Sequence, residues 1–196
     1  MPLRLRFHGG LRMLIASTSA VLLVDAPPSP SLSLSAQVVS SSRRMLDAAS
    51  LATVPAIVGL YPTATPPGVI ATSVNLDGDA LTFPFDPSPA TWPSSPLGAA
   101  LAATGRNQVV VLGVWLEEAV TWLALNCLSV GLDTYVPADA TPAIDAANEP
   151  AARARLTQAG AVPTSTAQVI SEWAALHANA GTASAILGTL PIERSR

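Results

Sequence analysis

Hydrophobic residues in this chain fall into short unbroken runs separated by stretches of helical periodicity. Residues 20–24 are apolar throughout, and residues 54–60 nearly so. Continuous rather than alternating apolarity predicts strands covered on both faces. Residues 108–114 repeat the pattern, and 134–138 and 161–166 predict two further strands. Between these runs, residues 36–51, 97–104, 144–159 and 167–178 read as helices. A fifth helix places Leu116, Val120, Leu123, Ala124, Cys127 and Leu128 three and four residues apart and ends at Gly131. Gly105 and Gly160 stop the helices before them, and Thr166 is placed to cap the last one. Strands alternating with helices predict an α/β domain, a three-layer α-β-α sandwich on a mainly parallel, Rossmann-like sheet.

Residues 26–33 form a Pro/Ser loop, and 61–96 are irregular and proline-rich, with 70–74 a candidate short strand. A loop region that long inside a compact domain is more often functional than idle. Residues 180–196 read as a tail or a partner-contacting arm. The expected organisation is thus a domain over 12–180, an extension at 1–11 and a tail at 181–196.

Composition narrows the class of protein. A chain of 196 residues suits one domain with a sizeable core. Only 12% of residues are charged against 49% hydrophobic, so some apolar surface is expected to be covered in a homo-oligomer. Net charge is −3 without a basic stripe, which argues against nucleic acid as a partner. All ten basic residues are arginine; there is no lysine. Cys127 is the single cysteine and there are two histidines, so no disulfide, metal site or cofactor is expected. Residues 13–24, preceded by Arg4, Arg6 and Arg12, have the length of a secretory signal core. Asp25 and Pro27 spoil the cleavage zone, and the run is short of the ~20 residues that span a bilayer. A buried strand, a cytoplasmic location and no membrane partner are the preferred reading.

In a parallel sheet, ligands bind beyond the carboxyl ends of the strands. Asp25, the turn Trp115–Ala119 and Asp139 all fall there.

At these positions the chain resembles a family. The run Val110-Val111-Leu112-Gly113-Val114-Trp115-Leu116-Glu117-Glu118-Ala119-Val120 is similar to the central strand and nucleophile turn of isochorismatase-like cysteine hydrolases. Ser19–Asp25 resembles the family's first strand with its catalytic acid, and 158–170 its closing segment. The likeness is strong over 106–173, fair over 17–60 and poor between. It implies the isochorismatase fold and a small-molecule substrate. Carried over by position, the acid is Asp25 and the nucleophile position holds Ala119. The family lysine belongs near 83–90, where this chain has no base. A thiolate needs a neighbouring base or cation to hold its charge, so cysteine-hydrolase chemistry is not expected. The resemblance also implies a cis Val114–Trp115 peptide and an oxyanion hole from the N–H groups of Trp115 and Ala119. Isochorismatases proper carry a small residue at the nucleophile position but retain the lysine.

Each candidate has a plainer alternative. Asp25 suits general acid/base work, yet could be a loop acceptor. Glu118 could assist it, or merely favour the helix dipole. Asp139 reads as a structural cap. Cys127 lies on an apolar helix face, two turns past Ala119, and reads as core. Trp92 and Leu116 are candidate pocket walls, although an aromatic near a cleft is as often packing. Two accounts follow: an enzyme using Asp25, aided by Glu118, for proton transfer, or an inactive homologue that binds a small molecule or serves in assembly. An engineered cysteine-to-alanine change fits poorly, because the lysine is missing too and Leu116 replaces the family threonine.

Overall fold

A computed structural model describes residues 13–25, 34–60 and 81–191. Six strands, β1 (Ser19–Asp25), β2 (Ala56–Leu60), β3 (Leu81–Pro84), β4 (Gln108–Gly113), β5 (Asp133–Pro137) and β6 (Val162–Thr164), form one sheet in the order β3-β2-β1-β4-β5-β6. Every pairing is parallel. Among the described residues six α-helices cover it: α1 (Ala36–Leu51), α2 (Pro96–Ala103), α3 (Thr121–Ser129), α4 (Glu149–Ala159), α5 (Thr166–Ala175) and α6 (Ala180–Leu187). This is the three-layer α/β sandwich that the hydrophobic pattern predicts.

Strand pleating divides the interior into two cores. Val21 and Leu23 of β1 and Val110 and Leu112 of β4 face one layer, where Met45, Val169, Ile170, Trp173 and Ile186 bring in α1, α5 and α6. Ala20, Leu22 and Val24, with Val109 and Val111, face the other, made by Leu97, Leu123, Cys127 and Leu156 of α2, α3 and α4. Because both faces are covered, neither central strand can carry a polar alternation, and all seven residues of β1 and all six of β4 are buried.

The lower end of the sheet is tied by one amide. Gln108 Oε1 accepts from Ile15 N (2.9 Å) and Thr18 Oγ1 (2.8 Å), while its Nε2 donates to the Met13 carbonyl (3.0 Å). Glu172 accepts from Leu14 N at 2.7 Å, and Trp173 Nε1 donates to Ser19 Oγ at 3.2 Å.

Several boundaries differ from the expected ones. The last helix is capped by Ser165, whose side chain accepts from Gln168 N, and not by Thr166. α4 begins at Glu149 instead of 144, because the amides of Ile144 and Asp145 are held by Glu117. β3 lies inside the stretch read as irregular; its four residues are mostly exposed, so no apolar run announced it. The segment read as a tail starts as a helix, α6, with Ile186 fully buried in the core. The candidate strand at 70–74 falls outside the described residues.

Candidate functional site

The strand order reverses direction at β1: the chain moves outward to β2 and β3, then returns to place β4 on the other flank. In open α/β sheets helices leave in opposite directions on the two sides of such a point, and ligands bind in the crevice outside the carboxyl ends of the strands there. Asp25 ends β1 there, 0% exposed. Strand alternation puts it on the same face as Val21 and Leu23, with α1, α5 and α6.

β4 leaves the sheet through Gly113. Its φ is +127°, and a Cβ there would sit 1.8 Å from the Val24 carbonyl oxygen, so the position admits glycine alone. That close approach holds the end of β4 against β1, and Val114 N donates to the same oxygen at 3.0 Å. The Val114–Trp115 peptide is cis, as the resemblance implied. Among the described residues no acceptor takes the Trp115 N–H.

The chain then makes a π-turn over Leu116–Val120 before α3. Thr121 sets it locally: its hydroxyl donates back to the Leu116 carbonyl at 2.5 Å, five residues earlier, and its N–H is directed to the same carbonyl. The wide turn sends Leu116, Ala119 and Val120 inward and leaves Glu118 exposed. Glu117 closes over the neighbouring loop, accepting from Ile144 N (2.8 Å) and Asp145 N (3.0 Å), while Leu116 N donates to the Pro142 carbonyl (2.9 Å).

The predicted site residues therefore divide. Asp25 and the Trp115–Ala119 turn both follow the carboxyl ends of strands that pair directly, Asp25 on the α1-α5-α6 face and Ala119 in the α2-α3-α4 core. Ala119 is 1% exposed and Leu116 is fully buried, both in the α2-α3-α4 core. Trp92 lies in that core as well, its ring edge-on to Phe85 at 6.3 Å. Trp92 and Leu116 are thus packed beneath the crevice. Glu118 stands in solvent while Asp25 does not, so the two acids occupy different environments.

Asp139 has a structural part. Its carboxylate accepts from Thr166 N (2.8 Å), Thr166 Oγ1 (2.5 Å) and Ser41 Oγ (2.9 Å), joining the end of β5 to the starts of α5 and α1. Sequence reasoning placed this acid correctly at a strand end but could not see partners 27 and 98 residues away. Cys127 is completely buried, and burial pushes its thiol far above the ordinary range. It packs with Leu123 and Ala124, as its helix face indicated. Among the described residues no group of three or more His, Cys, Asp or Glu side chains could hold a metal, and no helix is long and apolar enough to cross a membrane.

Comparison with known proteins agrees with this fold. The isochorismatase domain family matches residues 88–168, which run from the loop before Trp92 through the π-turn to α5. The "Probable hydrolase YcaC" of Escherichia coli (strain K12) is 34% identical over 70 residues, 36% of this chain and 34% of that protein. The sequence likeness is to the isochorismatase-like hydrolases, over less than half of this chain. The matched segment spans about a third of YcaC's length. Two solved structures extend the likeness in fold across nearly the whole chain. The E. coli YcaC gene product, described as an octameric hydrolase of unknown specificity, superimposes with a TM-score of 0.71 at 21% identity, covering 92% of this chain and 91% of that one. MAR1 ribonuclease from Caenorhabditis elegans gives a TM-score of 0.73 at 18% identity, covering 94% and 95%.

Proposed function

We propose that this isochorismatase-like protein acts on a small molecule by acid/base chemistry at Asp25, without a cysteine nucleophile. The observation that carries the reading is a fully buried carboxylate at the strand-order reversal, beside the turn that ends β4. Desolvated acids in such crevices serve proton transfer. The backbone N–H groups of Trp115 and Ala119 are the candidate donors to an oxygen on which charge develops, a part that does not depend on the side chain at 119. Asp25 carries the proton in this scheme. Glu118, exposed to solvent, contributes at the rim. No metal or other cofactor is invoked. The same proposal includes a homo-oligomer, which the octameric YcaC supports, and a cytoplasmic location.

One observation favours a second reading. Ala119 occupies the nucleophile position of the resemblance and the chain has no lysine, as in an inactive homologue retained for binding or assembly. A nuclease reading, suggested by the name of MAR1, finds no support in a chain of net charge −3.

Turnover should be screened across small amides, esters and enol ethers with the wild type and Asp25→Asn. The variant keeps the shape of the side chain and removes the titrating group, so activity should vanish while circular dichroism is unchanged. A fully active Asp25→Asn refutes the acid/base role. A wild type inert to every class favours the inactive homologue.

A further inference from the structure

At the edge of the sheet opposite Asp25, the chain leaves α1 and α2 beside a groove of about 520 Å³. Ser50, Thr53, Val54, Pro55, Thr104 and Arg106 line it. Ser50 belongs to the last turn of α1, and Thr53–Pro55 lead from there into β2. Thr104 caps the end of α2, and Arg106 stands two residues before β4. Because α1 packs on one face of the sheet and α2 on the other, the groove crosses its amino-terminal edge. The lining holds one cation, Arg106, and no acid.

Two features here cost stability and return none within the fold. The Nε of Arg106 is buried without a hydrogen-bond partner, and among the described residues no carboxylate pairs with its guanidinium. A buried N–H without an acceptor is destabilising, and this head group can turn toward the groove without breaking a bond. Thr53 has a φ of +57°, a left-handed conformation that strains a β-branched residue. The helix end requires that conformation: Val54 N donates to the Ala49 carbonyl (2.8 Å) and Thr53 N to that of Ser50 (3.1 Å). This pair of bonds closes a helix at a position glycine usually fills. Nothing in the fold requires threonine there, since among the described residues its hydroxyl makes no hydrogen bond. Helix carboxyl ends ordinarily repel anions through their free carbonyls. Here the carbonyls of Ala49 and Ser50 in α1 and of Leu101 and Ala102 in α2 all accept backbone N–H groups, which weakens the repulsion.

We propose that this groove binds a small phosphomonoester, at a site separate from the one at Asp25. The Arg106 guanidinium turns into the groove and donates two N–H groups to the phosphate, and the Ser50 and Thr53 hydroxyls donate to its remaining oxygens. Thr104 does not join them, because its hydroxyl proton is committed to the Leu101 carbonyl at 2.7 Å. A planar carboxylate has two oxygens and would leave donors on one wall unused, whereas a phosphate presents three. A volume of about 520 Å³ is that of a small-molecule site, beyond what a bare phosphate fills. Val54 and the half-buried Pro55 give the esterified group an apolar seat.

Phenyl phosphate, inorganic phosphate and benzoate are titrated into the full-length protein by calorimetry and NMR at neutral pH and low salt. Phenyl phosphate should bind tighter than inorganic phosphate, which lacks the apolar group, and tighter than benzoate. Arg106→Gln should weaken it by about tenfold or more, and Thr53→Gly by roughly threefold to tenfold. The Tm of each free protein is read alongside. Thr53→Gly should keep or raise Tm, because glycine accepts the positive φ, so its loss of affinity is not a loss of fold. Arg155→Gln, at an exposed arginine of α4, controls for overall charge and should bind as the wild type does. The proposal is overturned if phenyl phosphate does not bind, or if benzoate or inorganic phosphate matches it. It is equally overturned if Arg155→Gln weakens binding as much as Arg106→Gln, or if Thr53→Gly binds like the wild type.

Discussion

Replacing Gly113 with alanine would place a carbon 1.8 Å from the Val24 carbonyl oxygen, on a residue whose φ is +127°. Neither neighbour is the free end of a side chain: both are backbone, in strands paired along their whole length. The overlap can be relieved only by rotating φ or by prising the end of β4 from β1, and either loses the 3.0 Å hydrogen bond from Val114 N to Val24 O. An L-residue forced to positive φ costs ~1–2 kcal/mol, a broken buried backbone bond ~1–3 and displaced packing ~1–3, so about 4 kcal/mol in all is expected. At roughly 2–4 °C per kcal/mol for a domain of this size, Tm should fall by about 8–16 °C. Gly131 supplies the control. Its φ is +85° with nothing within 4 Å of an added Cβ. Alanine there should cost only the conformational part, ~1 kcal/mol. Urea denaturation of the two variants, read by tryptophan fluorescence, measures the difference. Equal losses for Gly113→Ala and Gly131→Ala would refute the view that β1 and β4 are locked together by this contact.

Asp139→Ala should cost about 2–3 kcal/mol, since the Thr166 N–H, the Thr166 hydroxyl and the Ser41 hydroxyl all lose their acceptor, with Asp139→Asn milder; urea midpoints give both values. Cys127 should resist thiol reagents in the folded protein and react fully in denaturant, because burial holds the thiol protonated; rapid labelling of the native state would contradict its placement in the core. Light scattering at micromolar concentration should return a mass well above the 20.0 kDa of one chain, and a monomer would defeat the assembly proposal.

The parts of the fold legible in the sequence are those decided by burial. β1 and β4 are covered on both faces, so their composition announces them, and Asp25 stands out as the first acid after an apolar run. The cis bond and the backbone donors came from the resemblance, not from any local pattern. What escaped was decided by contacts distant in sequence or by small residues. Thr166 looks like a cap, but its N–H and hydroxyl are drawn to Asp139, and Ser165 caps α5 instead. Helix α6 is built almost wholly of Ala, Gly, Ser and Thr, with Ile186 as its one fully buried anchor, too sparse a signal to separate from a tail. Glu118 drew attention by lying next to Ala119, yet neighbours in a helical turn point apart, one to solvent and one to the core.

The π-turn at Leu116–Val120 also limits how this segment can evolve. Leu116 and Ala119 belong beneath the crevice, and Leu123, Ala124 and Cys127, on the same continuous turn of chain, belong to the sheet. Because about 100° of rotation accompanies each helical residue, removing one between Trp115 and Thr121 must swing one of these two sets toward solvent. Side chains here can be exchanged for others of similar bulk, but the spacing cannot change. Among relatives the interval from the end of β4 to α3 should therefore vary in letters and stay fixed in length, whatever chemistry each performs.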